Sequence, residues 1–148
     1  MLEPHTGASN VERRAAAFRK VREAHQTEMA EDYVELIGDL IAETGEARLT
    51  DIAGSMGVAQ ASASKVVARL KREGLVDSRP YRSIFLTPAG AAMATQSRER
   101  HAVVQDFLLA LGIDETTAAN DAEGIEHHVS AVTLAALAAL TAELRARA

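Results

Sequence analysis

The chain of 148 residues has no cysteine and no tryptophan, three prolines, and only 3% aromatic residues. Without cysteine there are no disulfides and no thiolate metal sites, so nothing calls for an oxidising compartment. With so few aromatics, the 47% of apolar residues must fill the core mainly as Leu, Ile, Val and Ala. That composition leans helical, because Ala and Leu favour helix and a large sheet draws on β-branched and aromatic side chains. No stretch approaches the roughly 18 uninterrupted apolar residues of a membrane span, so no membrane partner is expected. The opening MLEPHTGASNVERR lacks the apolar run of a signal peptide, and the cytoplasm is the expected location. No nucleophile constellation or phosphate loop is present, so enzymatic chemistry is not expected.

The net charge of -5 repels nucleic acid until it is divided along the chain. Residues 1–47 carry 5 Lys/Arg against 10 Asp/Glu, residues 48–82 carry 7 against 3, and residues 83–148 carry 4 against 8. A short basic segment lies between two acidic ones, and local charge decides where phosphate is attracted.

Residues 1–9 read as a disordered lead. Asn10 is a candidate N-cap for one long helix or two consecutive ones from Val11 to about Glu43, ending near Gly45. Thr50 caps a short helix, Asp51–Met56. Gly57 is a turn. A second helix runs from Gln60 to about Glu73 and stops at Gly74. LVDSRPYRSIFLTPAG reads as a hairpin, Leu75–Ser78 and Ser83–Leu86, followed by a helix start at Thr87-Pro88. A long helix then runs to Leu111, another opens at Asp114, and Ser130 caps the last. The expected fold is mainly α, with an N-terminal extension (1–27), a winged helix-turn-helix domain (28–87) and a helical metal-binding and dimerisation domain (88–148).

Short helix, glycine turn, second helix and basic hairpin is the order of a winged helix-turn-helix, whose second helix fits the major groove of double-stranded DNA. Its start, AQASAS, has small side chains that let the backbone approach. Gln60, Ser62 and Ser64 can donate and accept at base edges. Lys65, Arg69 and, on the wing, Arg82 supply charge for phosphate.

In DAEGIEHHVS, Glu123, Glu126 and His127 fall at i, i+3 and i+4, on one face of a helix. His101 precedes the turn at Gly112 by about 16 Å of helical rise, and Glu123 to His127 follow it by a similar length. Antiparallel packing therefore sets His101 level with the acidic run. Spacing alone leaves two readings: a metal site, or an exposed polar face.

The stretches EDYVELIGDLIAETGEARLTDIA, GVAQASASKVVARL, YRSIFLTPAG, RERHAVVQDFLLALG and NDAEGIEHHVS resemble the manganese transport regulators of the iron-dependent-repressor, or diphtheria-toxin-repressor-like, superfamily. The resemblance covers residues 18–135. It implies a manganese-responsive repressor that binds operator DNA as a homodimer and governs manganese transport genes. It implies two Mn²⁺ per subunit, with Fe²⁺ possible, held by Asp32, Glu35, His101, Glu123, Glu126 and His127. His128 matches no ligand position and is expected to pack or to support a ligand. This set of carboxylates and imidazoles suits Mn²⁺ or Fe²⁺. Leu134, Leu137, Leu140 and Leu144, with Val103, Phe107 and Leu108, are expected to form either a dimer surface or an internal core. An iron-responsive regulator, a metal-independent winged-helix regulator and a carboxylate-bridged di-iron enzyme are the rival readings.

Overall fold

A computed structural model describes residues 8–80 and 83–148. The chain forms α1 (Asn10–Thr44), β1 (Ala47–Arg48), α2 (Leu49–Met56), α3 (Gln60–Arg72), β2 (Val76–Ser78), β3 (Ser83–Leu86), α4 (Pro88–Ala110), α5 (Glu115–Ile125), a 3₁₀ turn (Glu126–His128) and α6 (Ala131–Ala146).

Helix α1 is one unbroken helix. Its cap is Ser9, one residue before the expected Asn10. Ser9 N–H donates to Glu12 Oε2 at 2.6 Å and Glu12 N–H donates to Ser9 Oγ at 3.1 Å, the reciprocal pair of a capping box. Helix α2 starts two residues earlier than expected, and Arg48, not Thr50, precedes it without a side-chain cap. The chain turns from α2 at Gly57, where φ is 68° and a side chain would be strained. The start of α4 follows the sequence reading. Thr87 Oγ1 accepts from Gly90 N–H and donates to the Gly74 carbonyl at 2.6 Å. A Cβ on Gly90 would lie 2.0 Å from the Leu75 carbonyl oxygen, so only glycine lets α4 begin this close to the wing.

The wing is a three-stranded antiparallel sheet in the order β1-β3-β2, pairing Ala47 with Ile84 and Val76 with Leu86. The two-residue β1 adds an edge strand that the sequence reading lacked. Tyr81 and Arg82, at the expected wing tip, lie outside the described residues.

Two cores follow. Val34, Ile37, Ile52, Leu70 and Val76 centre the first, beneath the helix-turn-helix and wing. Val104, Leu108, Ala118 and Ala122 centre the second, among α4, α5 and α6, with Phe107, Leu134 and Leu137 packed on it. The leucines of α6 thus divide. Leu134 and Leu137 turn inward, while Leu140 and Val132 face outward. Helices α1 and α4 pack together; α1 contributes to the first core and α4 to both.

Candidate metal centre and nucleic-acid interface

On α1, Glu28, Glu31, Asp32 and Glu35 recur at helical spacing and share one side. That side meets α4, which carries Ser97, Arg100 and His101, and the 3₁₀ turn after α5. The turn matters. Glu123 is on α5, but the helix tightens at Glu126, and Glu126, His127 and His128 are directed by a 3₁₀ geometry rather than the continuous α-helix expected.

Two groups of donors converge. In one, His101 Nδ1 lies 2.9 Å from Glu126 Oε2 and 3.6 Å from Glu123 Oε1. In the other, His127 Nε2 lies 3.1 Å from Asp32 Oδ1 and 3.2 Å from Glu126 Oε1. Glu126 therefore joins the groups, one oxygen to each. Glu35 stands apart from both pairs. It accepts a 3.1 Å hydrogen bond from Ser97 Oγ, and burial raises its pKa against that bond.

Glu126 is 1% exposed, yet neither of its oxygens has a hydrogen-bond partner. The imidazole nitrogens approach it without hydrogen-bond alignment. A buried carboxylate left this way is costly. Burial pushes Glu126 up to about 7, against the attraction of His101 and His127. His127 carries the opposite burden. Burial alone would lower it, but bonds to Asp32 and Glu31 and the charge of Glu126 raise it to about 10. In the metal-free protein His127 is thus an imidazolium among carboxylates, with the Arg100 guanidinium also on Glu31. Converging, poorly bonded oxygen and nitrogen donors with excess negative charge fit a hard divalent cation.

Three participants escaped the sequence reading. Glu31, 8% exposed, faces His127 Nδ1, and Arg100 grips the same Glu31 oxygen at 2.5 Å. Burial would raise Glu31, while His127 and Arg100 hold it below the usual carboxylate range. Glu28 groups with Asp32 and His127. The helical repeat of acidic residues on α1 was the available signal for Glu28 and Glu31. Nothing local marked Arg100.

On the other lobe, α2, Gly57 and α3 leave Gln60, Ser62, Ser64 and Lys65 exposed, while Ala63 and Leu70 anchor the helix inward. Arg69, expected at phosphate, is engaged within the protein itself. It donates to the Gln26 carbonyl at 3.0 Å and pairs with Glu73 at 3.3 Å, tying α3 to α1. On the wing, Lys71 reaches Ser78 at 3.1 Å and Arg79 stacks on Phe85 at 5.2 Å. A groove of about 410 Å³ has Glu28 and Asp32 on one wall and Ser62 and Val66 of α3 on the other.

Comparison with known proteins assigns this arrangement. The iron dependent repressor N-terminal DNA binding domain matches residues 25–84, and the iron dependent repressor metal binding and dimerisation domain matches residues 87–146. The chain belongs to the iron-dependent repressor family. It is 52% identical over 132 residues to the transcriptional regulator MntR of Salmonella typhimurium, covering 89% of this chain and 84% of that one. To MntR of Escherichia coli O6:H1 it is 51% identical, covering 89% and 85%. A solved manganese-dependent transcriptional repressor in complex with manganese is similar at a TM-score of 0.67 and 28% identity, covering 76% of this chain and 52% of that one. The chain thus spans about half the length of that solved relative. Family members of this kind are transcriptional regulators and not enzymes, and this chain carries both the DNA-binding and the metal-binding and dimerisation domains. No helix among the described residues is long and apolar enough to cross a membrane.

Proposed function

We propose that the protein is a manganese-responsive repressor that binds operator DNA as a metal-loaded homodimer and controls manganese transport genes. The observation that carries this reading is Glu126, buried with two unbonded oxygens and approached by His101 on one side and His127 on the other. Asp32, Glu35, His101, Glu123, Glu126 and His127 would hold two cations per subunit, with Glu126 common to both positions. Bound cation supplies positive charge to a cluster of carboxylates that otherwise repel. The donor set suits Mn²⁺ and also Fe²⁺, so selectivity rests on coordination number and geometry.

The residues of this chain connect that charge to DNA. Asp32 and Glu35 belong to α1, and their helical neighbours Tyr33, Val34 and Ile37 lie in the core of the DNA-binding lobe. The other four donors belong to the opposite lobe. Satisfying all six at once fixes α1 against α4 and the 3₁₀ turn, and thereby fixes α3. In a dimer, two α3 helices held about 34 Å apart match one DNA turn. Gln60, Ser62 and Ser64 are placed to read bases and Lys65 to meet phosphate. Metal then selects the DNA-competent arrangement from a broader population.

The test is a DNA-binding titration against the protein's own upstream region with Mn²⁺, Fe²⁺, Zn²⁺ and chelator. Tight binding only with Mn²⁺ is expected. Equal binding in chelator would overturn the reading, and a preference for Fe²⁺ would move the protein to the iron-responsive alternative.

A further inference from the structure

One acidic side chain beside the centre is not accounted for by the six-residue ligand set. Glu28 stands one helical turn before Asp32 on α1. Its carboxylate, one oxygen of Asp32 and one ring nitrogen of His127 all lie within 4.8 Å of one another. Glu28 Oε2 is also 3.1 Å from His128 Nε2 and 3.8 Å from His25 Nδ1. The two histidine rings meet edge to face, with centroids 6.2 Å apart. Glu28 is 27% exposed and lines the groove that runs to Ser62 of α3.

An exposed Glu–His pair is the simpler explanation, and such pairs contribute little. It accounts for His128 but not for Asp32. A solvent-facing Glu28 free to choose its rotamer would avoid the like charge at i+4, where carboxylates repel. Instead Glu28 converges with Asp32 on the same imidazole. Glu126 gives an independent pointer: buried and without hydrogen bonds, it reaches the same imidazole nitrogen, Nε2, that Asp32 faces. Asp32, His127 and Glu126 offer three donors. A six-coordinate ion such as Mn²⁺ has room for more, and Glu28 supplies a further carboxylate within reach of Asp32 and His127.

We infer that Glu28 is a further ligand to the cation held by Asp32 and His127, and that His128 positions it. The inference rests on the centre being a manganese site. His128 then has a role of its own: it orients a carboxylate, as supporting partners of metal ligands do. His25 Nδ1, 3.8 Å away, faces the same oxygen.

The experiment titrates the full-length wild type, Glu28→Gln, Glu28→Asp, His128→Gln and Asp32→Ala with Mn²⁺. Free aquo-Mn²⁺ is read by electron paramagnetic resonance, and helicity is checked by circular dichroism. Glu28→Gln keeps the side chain's size and should fold. It is expected to weaken the Asp32-dependent cation by about 10-fold or more while leaving the other unchanged. His128→Gln should weaken the same cation less, and Glu28→Asp should recover part of the loss. Wild-type number and affinity in Glu28→Gln, with Asp32→Ala losing a cation, would overturn the inference and leave the manganese site standing. A wild type that takes up no Mn²⁺ would overturn the site itself, and the inference with it.

Discussion

His127 Nδ1 lies 2.6 Å from Glu31 Oε2, and Arg100 holds that same oxygen at 2.5 Å. The contact leaves Nε2 of the ring facing Asp32 and Glu126. A ring nitrogen bonded to a carboxylate fixes the tautomer and aim of the other nitrogen. Glu31→Gln removes the charge and keeps the shape. It should weaken Mn²⁺ binding about 10- to 100-fold without abolishing it, as read by Mn²⁺ titration. Unchanged affinity would mean that the 3₁₀ turn alone aims His127.

Glu126 joins both donor groups, so Glu126→Gln should abolish metal-activated DNA binding. It should also leave the chelated protein at least as stable as wild type, because a buried carboxylate without hydrogen bonds is removed. A gel shift with Mn²⁺ and thermal unfolding in chelator measure the two effects. Normal activation by Mn²⁺ would remove Glu126 from the ligand set.

Stability without metal should fall as pH rises. Glu126 is raised from 4.5 to about 7 and His127 from 6.5 to about 10, so the folded state holds protons that the unfolded chain would release. The stability due to Glu126 is fully present below pH 4.5 and is lost through about pH 7; that due to His127 is fully present below pH 6.5 and is lost through about pH 10. Melting in chelator from about pH 5 to about pH 8 should show the decline, and Glu126→Gln should flatten it. Saturating Mn²⁺ should stabilise most at the upper end, because it competes with these protons. A wild-type slope identical to that of Glu126→Gln would contradict the assignment.

Lys65 and Arg69, both basic and both on α3, should behave differently. Lys65 is exposed, and Lys65→Ala should weaken binding to every DNA sequence and flatten the salt dependence by about one unit of slope. Arg69 holds the Gln26 carbonyl and Glu73. Arg69→Ala should leave that slope nearly unchanged and lower stability by on the order of 1 to 2 kcal/mol. Salt-dependent binding curves and denaturant melts separate the two. A reduced slope in Arg69→Ala would mean that its guanidinium leaves α1 for phosphate.

Apart from β1 and the 3₁₀ turn, the elements and the chemistry of the donors were legible in the sequence. Local rules suffice for Thr87-Pro88, Gly57, Asp114 and Ser130, because caps and turns are decided by residues three or four positions apart. They failed by a residue or two where two caps compete, as at Ser9 and Asn10. The acidic repeat on α1, His101 on α4 and the EGIEHH run contained the donors, with no sulfur among them. Tertiary structure decided which of them meet. His127 and Glu31 are 96 residues apart in the chain, and no local pattern carries that distance. The 3₁₀ turn sets His127 against Glu31 and Asp32 and His128 against Glu28. Packing of α1 on the DNA-binding lobe turned Arg69 inward, and packing of α6 on α4 drew Leu134 and Leu137 into the second core. Charge and periodicity give each residue's chemistry and helical face; only the packed helices decide what that face meets.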